Sequence, residues 1–527
     1  MSIHQDPMKG IPGDDDAQLA ALGHRQELKR NFSMLSMLGL AFAILNSWTA
    51  LSASLNLSLP SGGCVSVVWG LVTAGICNLC IAASLAEFLS AYPTAGGQYH
   101  WVAAVSWERW MPILSWITGW ANVSGWLALT ATGGLLGSSL IMGIVSLMFP
   151  LFEFQRWHQF LMYVAINVIA FIVNAFLGSI LPLITKSAFI WSLTGFVVIC
   201  ITVLSCASPN YSSGKFVFGE FINTTGWTDG VAWLLGLLQG GLGLTGFDGV
   251  AHMIEEIPNP SVVGPKIMIG CVGIGFTTGL IFLIVLLFVM GDINQVIESA
   301  ATPLLQIFRN ATGSNVGAIC LLMFPLICIL FAATAIMTTS SRMNYAFARD
   351  GGLPASTFFS KVHPKLNVPL NGLYLTNISV IIFGCIFLGS SSAFNAIISS
   401  SVVMLDIAYG VPIAVNCIRG RQMLPERPFV LPHTLGWIAN IIALAYISLT
   451  TVLFLFPPVL PVTGSNMNYC VAAMGIIFII SAIQWVVDGR KNFTGPRVDE
   501  GILAVVEGSA PSPEERATAA GRKDHGK

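Results

Sequence analysis

Residues 240–248 read GGLGLTGFD and interrupt a long apolar segment; residues 45–49 read LNSWT and interrupt another at the matching position of the first half of the chain. A helix that breaks inside a membrane leaves backbone amides and carbonyls unpaired, and hydrocarbon tolerates them only where they line a cavity or bind something. One break in each half is typical of secondary transporters with a central binding site. The two stretches therefore predict a helical membrane transporter.

The composition agrees with a membrane setting. Hydrophobic residues make up 54% of the chain and charged residues 9%, against about 25% charged in soluble domains. Apolar runs near the ~20 residues that cross a bilayer predict twelve spans. Their predicted limits are 34–57, 63–88, 112–145, 159–178, 183–206, 230–255, 265–290, 315–342, 370–389, 392–417, 434–456 and 468–487.

The positions of lysine and arginine predict the orientation, because basic residues near short loops resist translocation. With a cytosolic N-terminus, all but three of the 24 Lys and Arg residues lie inside, the exceptions being Arg156, Lys215 and Arg309. We predict a multi-pass protein of the plasma membrane with both termini in the cytosol. The sequence has no basic face of the kind that would indicate a nucleic-acid partner.

The sequence predicts no enzyme chemistry, no metal and no cofactor. The eleven cysteines lie in or beside apolar spans, and without further ligands at the same depth they are interpreted as packing residues. No nucleophile with a paired base stands out.

Asp248 is the strongest candidate for a residue of the transport site. It begins the half-helix after the second break, where free amides and the helix dipole stabilise a carboxylate. It is interpreted either as an anion that attracts an ammonium group or takes up a proton, or as a simple helix cap. His252 and Glu255 follow on the same helical face and predict a proton path. The alternative is that Glu255 and Glu256 lie in interfacial water, which we favour for Glu256.

Two further carboxylates lie in apolar spans, where ionisable groups are costly and usually functional. Glu87 ends the second span just before YPTAGGQY at residues 92–99. It is predicted to anchor that turn or an inner gate, with a structural role favoured. Asp406 in the tenth span is a candidate for gating through an ion pair.

Aromatic and polar residues at the breaks complete the predicted substrate site. Trp48, Trp126 and Phe247 are candidates for an aromatic cage around an ammonium group, worth about 0.5–2 kcal/mol per contact. Hydroxyl and amide partners for the substrate are expected from Asn46, Ser47 and Thr245.

A run of four hydroxyl residues, 338–341, lies at one end of the eighth span. Such hydroxyls either coordinate Na⁺ or bond to carbonyls of their own helix. Na⁺ is therefore kept as an alternative to protons as the coupling ion.

Two sequons, at Asn223 and Asn310, lie in predicted external loops. They are predicted acceptors for N-glycosylation.

Several motifs resemble one known family. They are SLAE at 84–87 with YPTAGGQY at 92–99, GFD at 246–248 with AHMIEE at 251–256, SRMNYAFARDGGLP at 341–354 and FPPVLPVT at 456–463. Together they resemble the amino acid/choline transporter branch of the amino acid–polyamine–organocation superfamily, especially its fungal permeases. The resemblance covers residues 33–487.

The resemblance implies a five-plus-five inverted repeat with broken helices 1 and 6 and two peripheral helices. The implied division is a cytosolic tail (1–33), a first repeat (34–206), an external loop (207–229), a second repeat (230–417), spans 11 and 12 (418–487) and a disordered cytosolic tail (488–527). Members carry choline, 4-aminobutyrate, other amino acids or polyamines, and fungal members are generally proton-coupled.

The first break departs from the family pattern. Many carriers of the superfamily have glycines there, whose bare amides hold a substrate carboxylate, whereas this chain has Asn46, Ser47 and Trp48. This favours choline or a related amine as the imported substrate, with 4-aminobutyrate or a neutral amino acid as the alternative. A nutrient sensor without transport is the alternative from another class.

Overall fold

The structure is a computed structural model that describes residues 32–389, 393–464 and 466–493, together with Leu19 and Gly495. The predicted tails at 1–33 and 488–527 lie outside the described residues, apart from their few residues in these ranges.

Within this part of the chain the regular structure is helical, apart from one antiparallel bridge between Ser61 and Asn223. Twelve helices are long and apolar enough to cross a membrane, which confirms the predicted all-α integral membrane fold. Numbered as spans 1 to 12, they run Met34–Ala53, Gly63–Ala91, Met111–Met148, Arg156–Phe176, Gly178–Ala207, Asp229–His252, Pro260–Phe288, Asn315–Arg349, Leu370–Leu388, Ala396–Ile418, His433–Leu453 and Cys470–Asn492. Shorter connecting helices run Gln98–Val105, Gly214–Gly219, Ile293–Ile297, Pro303–Thr312 and Ser356–Phe359.

The break in span 1 is a single residue. The helix Met34–Leu45 ends at Asn46, whose φ of 43° is left-handed, and a second helix runs Ser47–Ala53. Asn tolerates this conformation better than most side chains because its short polar group bonds locally. The Asn46 carbonyl accepts the Thr49 and Ala50 amides and so starts the second half-helix.

The break in span 6 covers only the second half of the predicted interruption at residues 240–248. The first half-helix runs Asp229–Leu244, and the break covers residues 245–248, with Gly246 at φ 100°. Gly240 and Gly243 lie inside the helix, where they allow close packing: a Cβ on Gly240 would lie 2.8 Å from the Ala74 Cβ. Small residues at helix interfaces are common in membranes, so these glycines serve packing.

The spans form two packed groups. Spans 1 and 2 both pack on spans 6 and 7, and spans 3, 4, 8 and 9 form the second group. Each group takes equivalent helices from the two predicted repeats, as the five-plus-five arrangement requires. Span 12 is the least buried, with 17% of its most apolar stretch covered, which suits a peripheral helix. The limits assigned to the repeats remain a prediction.

Span 7 supports the break in span 1 through a glycine. A Cβ on Gly275 would overlap the Ser47 hydroxyl, whereas a Cβ on Gly273 of the same helix would meet nothing within 4 Å. We expect Gly275→Ala to destabilise the fold by about 1–3 kcal/mol through overpacking. Gly273→Ala is the matched control and is expected to be neutral or stabilising by about 0.5–1 kcal/mol. Thermal unfolding in detergent measures both, and equal midpoints would contradict the expectation.

Candidate functional site

Asp248 lies fully buried at the centre of a hydrogen-bond cluster. Its Oδ1 accepts the Tyr409 hydroxyl at 2.6 Å, and its Oδ2 accepts Gln98 Nε2 at 2.8 Å and Trp126 Nε1 at 3.2 Å. These donors come from span 10, the connecting helix Gln98–Val105 and span 3. Its side chain makes no capping hydrogen bond to the helix that follows, so simple capping does not describe it.

The contact between Asp248 and His252 requires a proton. His252 Nδ1 lies 2.8 Å from the Ala95 carbonyl oxygen, and Nε2 lies 3.2 Å from Asp248 Oδ2. A carbonyl only accepts, so Nδ1 carries a hydrogen. Nε2 then either accepts from a protonated Asp248 or, as part of an imidazolium, donates to a carboxylate. We call these two side chains the Asp248–His252 dyad.

Glu255 joins this cluster through the backbone of Ala95. The Ala95 amide donates to Glu255 Oε1 at 3.0 Å, while its carbonyl accepts from His252. The α-helix ends at His252, and Glu255 lies in a 3-10 turn. The structure thus brings Asp248, His252 and Glu255 together, but through a neighbouring loop in addition to a shared helical face.

Ion pairs close the face at which span 1 begins and span 12 ends, here called the terminal face. Arg349 Nη2 lies 3.1 Å from Glu255 Oε1, and Arg342 Nε lies 3.1 Å from Glu256 Oε1. Both pairs link the end of span 6 to the end of span 8. They hold a helix of the first packed group to a helix of the second.

The favoured placement of Glu256 in interfacial water is wrong. The residue is 4% exposed and paired with Arg342. Burial raises the pKa of its carboxyl above the ordinary value, and the Arg342 guanidinium acts in the opposite direction. From the sequence, a charged residue at a helix end is expected to face water. In the structure, the end of span 8 covers Glu256.

A third link on the terminal face joins the connecting helix to the end of span 8. Asp350 Oδ2 lies 2.6 Å from His100 Nε2 and accepts the Tyr99 hydroxyl at 2.7 Å. Burial raises the pKa of the Tyr99 phenol well above its ordinary value. The phenol therefore stays protonated and donates to Asp350.

Glu87 has a different partner from the one predicted. It pairs with Arg421 at 2.7 Å and Arg427 at 2.8 Å, and accepts the Leu431 amide at 3.1 Å. It therefore anchors the segment between spans 10 and 11, not the turn at residues 92–99. The favoured structural role is consistent with this position.

A small cavity of about 30 Å³ lies where the two breaks meet, between spans 1, 3, 6 and 8. Its polar lining residues are Asn46, Thr132 and Thr245, and among the described residues no charged side chain lines it. The Ser47 and Trp48 amides begin the half-helix Ser47–Ala53 without a partner in their own helix, but neither residue is among those that line the cavity. Asp248 is not among the residues that line the cavity.

Comparison with known proteins fits this geometry. Residues 32–480 match the family described as amino acid permease. The chain belongs to this family. It is therefore a transport protein and not an enzyme, as predicted. The match also confirms the resemblance to the amino acid–polyamine–organocation superfamily.

Individual relatives cover nearly the whole permease. A Macrophomina phaseolina protein named for amino acid/polyamine transport is 35% identical over 83% of this chain and 97% of its own. The choline transporter of Saccharomyces cerevisiae is 32% identical over 93% of this chain and 87% of its own. The amino-acid permease BAT1 of Arabidopsis thaliana is 31% identical over 92% of this chain and 97% of its own.

The permease does not assemble the three predicted cage residues. Trp126 and Phe247 lie at the Asp248 cluster, with the Phe247 ring 5.1 Å from Tyr409. Trp48 faces spans 5 and 7 instead, where its Nε1 donates to Ser192 at 2.8 Å and its ring lies 4.7 Å from Phe282. Which face of a helix an indole occupies is decided by packing with other spans.

Asp406 and the hydroxyl run of span 8 also differ from the gating and ion-site hypotheses. Asp406 is buried and accepts Thr450 Oγ1 at 3.0 Å, and the described residues include no ion pair for it. In span 8, Thr338, Thr339 and Ser341 each donate to a carbonyl of their own helix. The alternative of bonding within the helix therefore describes them.

Ser47 and Thr245 face neighbouring helices at the breaks. The Thr245 hydroxyl donates to the Gly241 carbonyl at 2.8 Å. The Ser47 hydroxyl packs on span 7 and has no hydrogen-bond partner in the described part of the chain. Of the predicted polar group, Asn46 and Thr245 line the cavity.

The two sequon asparagines use the nitrogen to which a glycan would be attached. Asn223 Nδ2 donates to the Trp227 carbonyl at 2.7 Å, and Asn310 Nδ2 donates to the Met290 carbonyl at 2.9 Å. Glycosylation of either remains a prediction, and it requires that these bonds be replaced.

Several site residues were not singled out from the sequence. Gln98, Arg342, Arg349 and Asp350 belong to the quoted motifs and His100 directly follows one, so a search of those motifs and their flanks for polar side chains would have found them. Tyr409 carries no such signal, because it is one tyrosine in an apolar span.

Proposed function

We propose that this permease is a secondary active transporter that imports a small amine-bearing solute together with protons by alternating access. The observation that carries the proposal is the dyad, whose contact holds one proton. Without that proton, the Asp248 carboxylate oxygen would face the lone pair of His252 Nε2 in a buried site. Loss of the proton therefore breaks the contact and changes the relative stability of the two transport states.

The position of the dyad supports its role in coupling. Asp248 belongs to span 6 of the first packed group, while its donor Trp126 belongs to span 3 of the second group and Tyr409 to span 10. A change in the charge of Asp248 therefore acts on contacts between elements that must separate during transport. Protons are preferred to Na⁺ because three of the four hydroxyls at residues 338–341 already bond to carbonyls of their own helix.

The cavity chemistry favours an amino acid over a lone cation as the substrate. Its lining side chains are neutral, and a zwitterionic amino acid carries no net charge. Trp48, on which the choline prediction rested, faces away from the cavity. Choline stays the second candidate because the S. cerevisiae relative is named a choline transporter.

The membrane placement is part of the proposal. The terminal face is assigned to the cytosol because basic residues concentrate on it. It carries Arg342, Arg349, Arg421 and Arg427. Import then proceeds from the opposite face, and the plasma membrane is the expected site.

Uptake into cells that lack their own permeases tests the function. Radiolabelled 4-aminobutyrate, a neutral amino acid and choline are supplied with and without a protonophore. We expect uptake of an amino acid that stops when the protonophore collapses the gradient. Choline uptake competed by other quaternary amines would reverse the substrate order. Surface expression without uptake of any of the three would favour a sensor.

A further inference from the structure

The chain beyond the apolar part of span 12 packs back onto the terminal face. After a π-helical turn at Trp485–Gly489 and a short helix Arg490–Asn492, Phe493 is only 3% exposed. Its ring centroid lies 5.2 Å from that of Trp116 and 5.9 Å from that of Phe347. A phenyl ring after the last span thus occupies a buried aromatic site.

The end of span 12 surrounds Trp116 of span 3. The Trp485 ring lies 5.2 Å from Trp116, whose Nε1 donates to Ser481 Oγ at 3.0 Å. A Cβ on Gly489 would lie 2.7 Å from the same indole. The Phe493 amide donates to the Gly489 carbonyl at 2.7 Å, which directs its ring inward.

The other side of the aromatic site carries the closing ion pairs. Phe347 lies within one turn of Arg349 and Asp350 in span 8, and its ring is 5.2 Å from Tyr99. Arg349 pairs with Glu255, and Asp350 bonds to His100 and Tyr99. Phe493 therefore packs behind the turn of span 8 that holds span 6 and the connecting helix.

We propose that residues 485–493 form a C-terminal latch that stabilises the closed terminal face. With Phe493 in place, the end of span 8 is held against span 3 and its charged residues meet their partners. Removing the ring leaves a cavity between Trp116 and Phe347, which lets the end of span 8 move and weakens the ion pairs.

Hydrogen exchange on the purified full-length protein tests the latch without any substrate, so its outcome is independent of the proposed function. We expect Phe493→Ala to accelerate amide exchange in residues 249–256 and 98–105 on the order of tenfold, because local opening becomes less costly. Residues 229–240, at the other end of span 6, should keep their rate. Phe493→Leu should show a smaller acceleration in the same two segments.

Val487→Ala is the matched control, because Val487 lies on the same segment but is 65% exposed. It should leave all three segments unchanged. Unchanged exchange at 249–256 in Phe493→Ala would overturn the latch. Equal acceleration in all three segments would also overturn it, since that indicates general destabilisation. If Phe493→Ala is not recovered as folded protein, Phe493→Leu decides by the same criteria.

Discussion

Asp248→Asn is expected to abolish proton-driven accumulation while exchange of substrate across the membrane continues. The asparagine amide can donate to His252 Nε2 and its oxygen can still accept from Tyr409, although its nitrogen cannot accept from Gln98 and Trp126 as Oδ2 of the aspartate does. The asparagine cannot release a proton. With one proton per substrate, a gradient of one pH unit is worth about 1.4 kcal/mol and supports about tenfold accumulation, which the variant should lose entirely. Proteoliposomes with an imposed pH gradient measure accumulation, and counterflow measures exchange.

Tyr409→Phe is the matched control for this prediction. It removes the hydroxyl that donates to Asp248 at 2.6 Å but leaves the dyad able to exchange its proton. We expect slower transport that still accumulates substrate against its gradient. Accumulation by Asp248→Asn at the wild-type ratio would exclude Asp248 from coupling.

Arg349→Ala is expected to have the largest effect on stability. It removes the Arg349 guanidinium from the buried Glu255 carboxylate, and breaking a buried ion pair from one side typically costs about 3–5 kcal/mol. The closed terminal face should lose stability, and uptake should fall with it. Thermal unfolding in detergent and uptake in cells measure the two effects.

Two further variants distinguish the loss of the ion pair from nonspecific destabilisation at Arg349. The double variant Glu255→Gln with Arg349→Ala also removes the carboxylate charge of Glu255 and should recover part of the lost stability. Arg309→Ala removes an exposed arginine on the short helix Pro303–Thr312 and should change stability by no more than about 0.5 kcal/mol. If Arg349→Ala alone is as stable as the wild type, the pair between Arg349 and Glu255 does not stabilise the closed terminal face.

The glycine run of span 6 shows where sequence patterns mislead in a membrane protein. Glycine is a poor helix former, so the whole stretch GGLGLTGFD predicts an interruption over residues 240–248. In lipid the same residue allows two helices to approach closely, and Gly240 and Gly243 do this inside an unbroken helix. The break itself follows at Thr245, and only the contacts with Ala74 and Leu51 distinguish the two uses.

The sequence by itself determined the helical membrane fold, the twelve spans, the existence of two breaks and the presence of Asp248 at one of them. These follow from local properties: the length of an apolar run and the cost of a charge in lipid. Only the tertiary structure decided that Trp48 faces away from the cavity, that Glu256 pairs with Arg342 and that Tyr409 bonds to Asp248. The partners of those bonds lie from 86 to 161 residues apart in the chain. Hydrogen-bond and ion-pair partners so far apart depend on how whole helices pack, which no local pattern encodes.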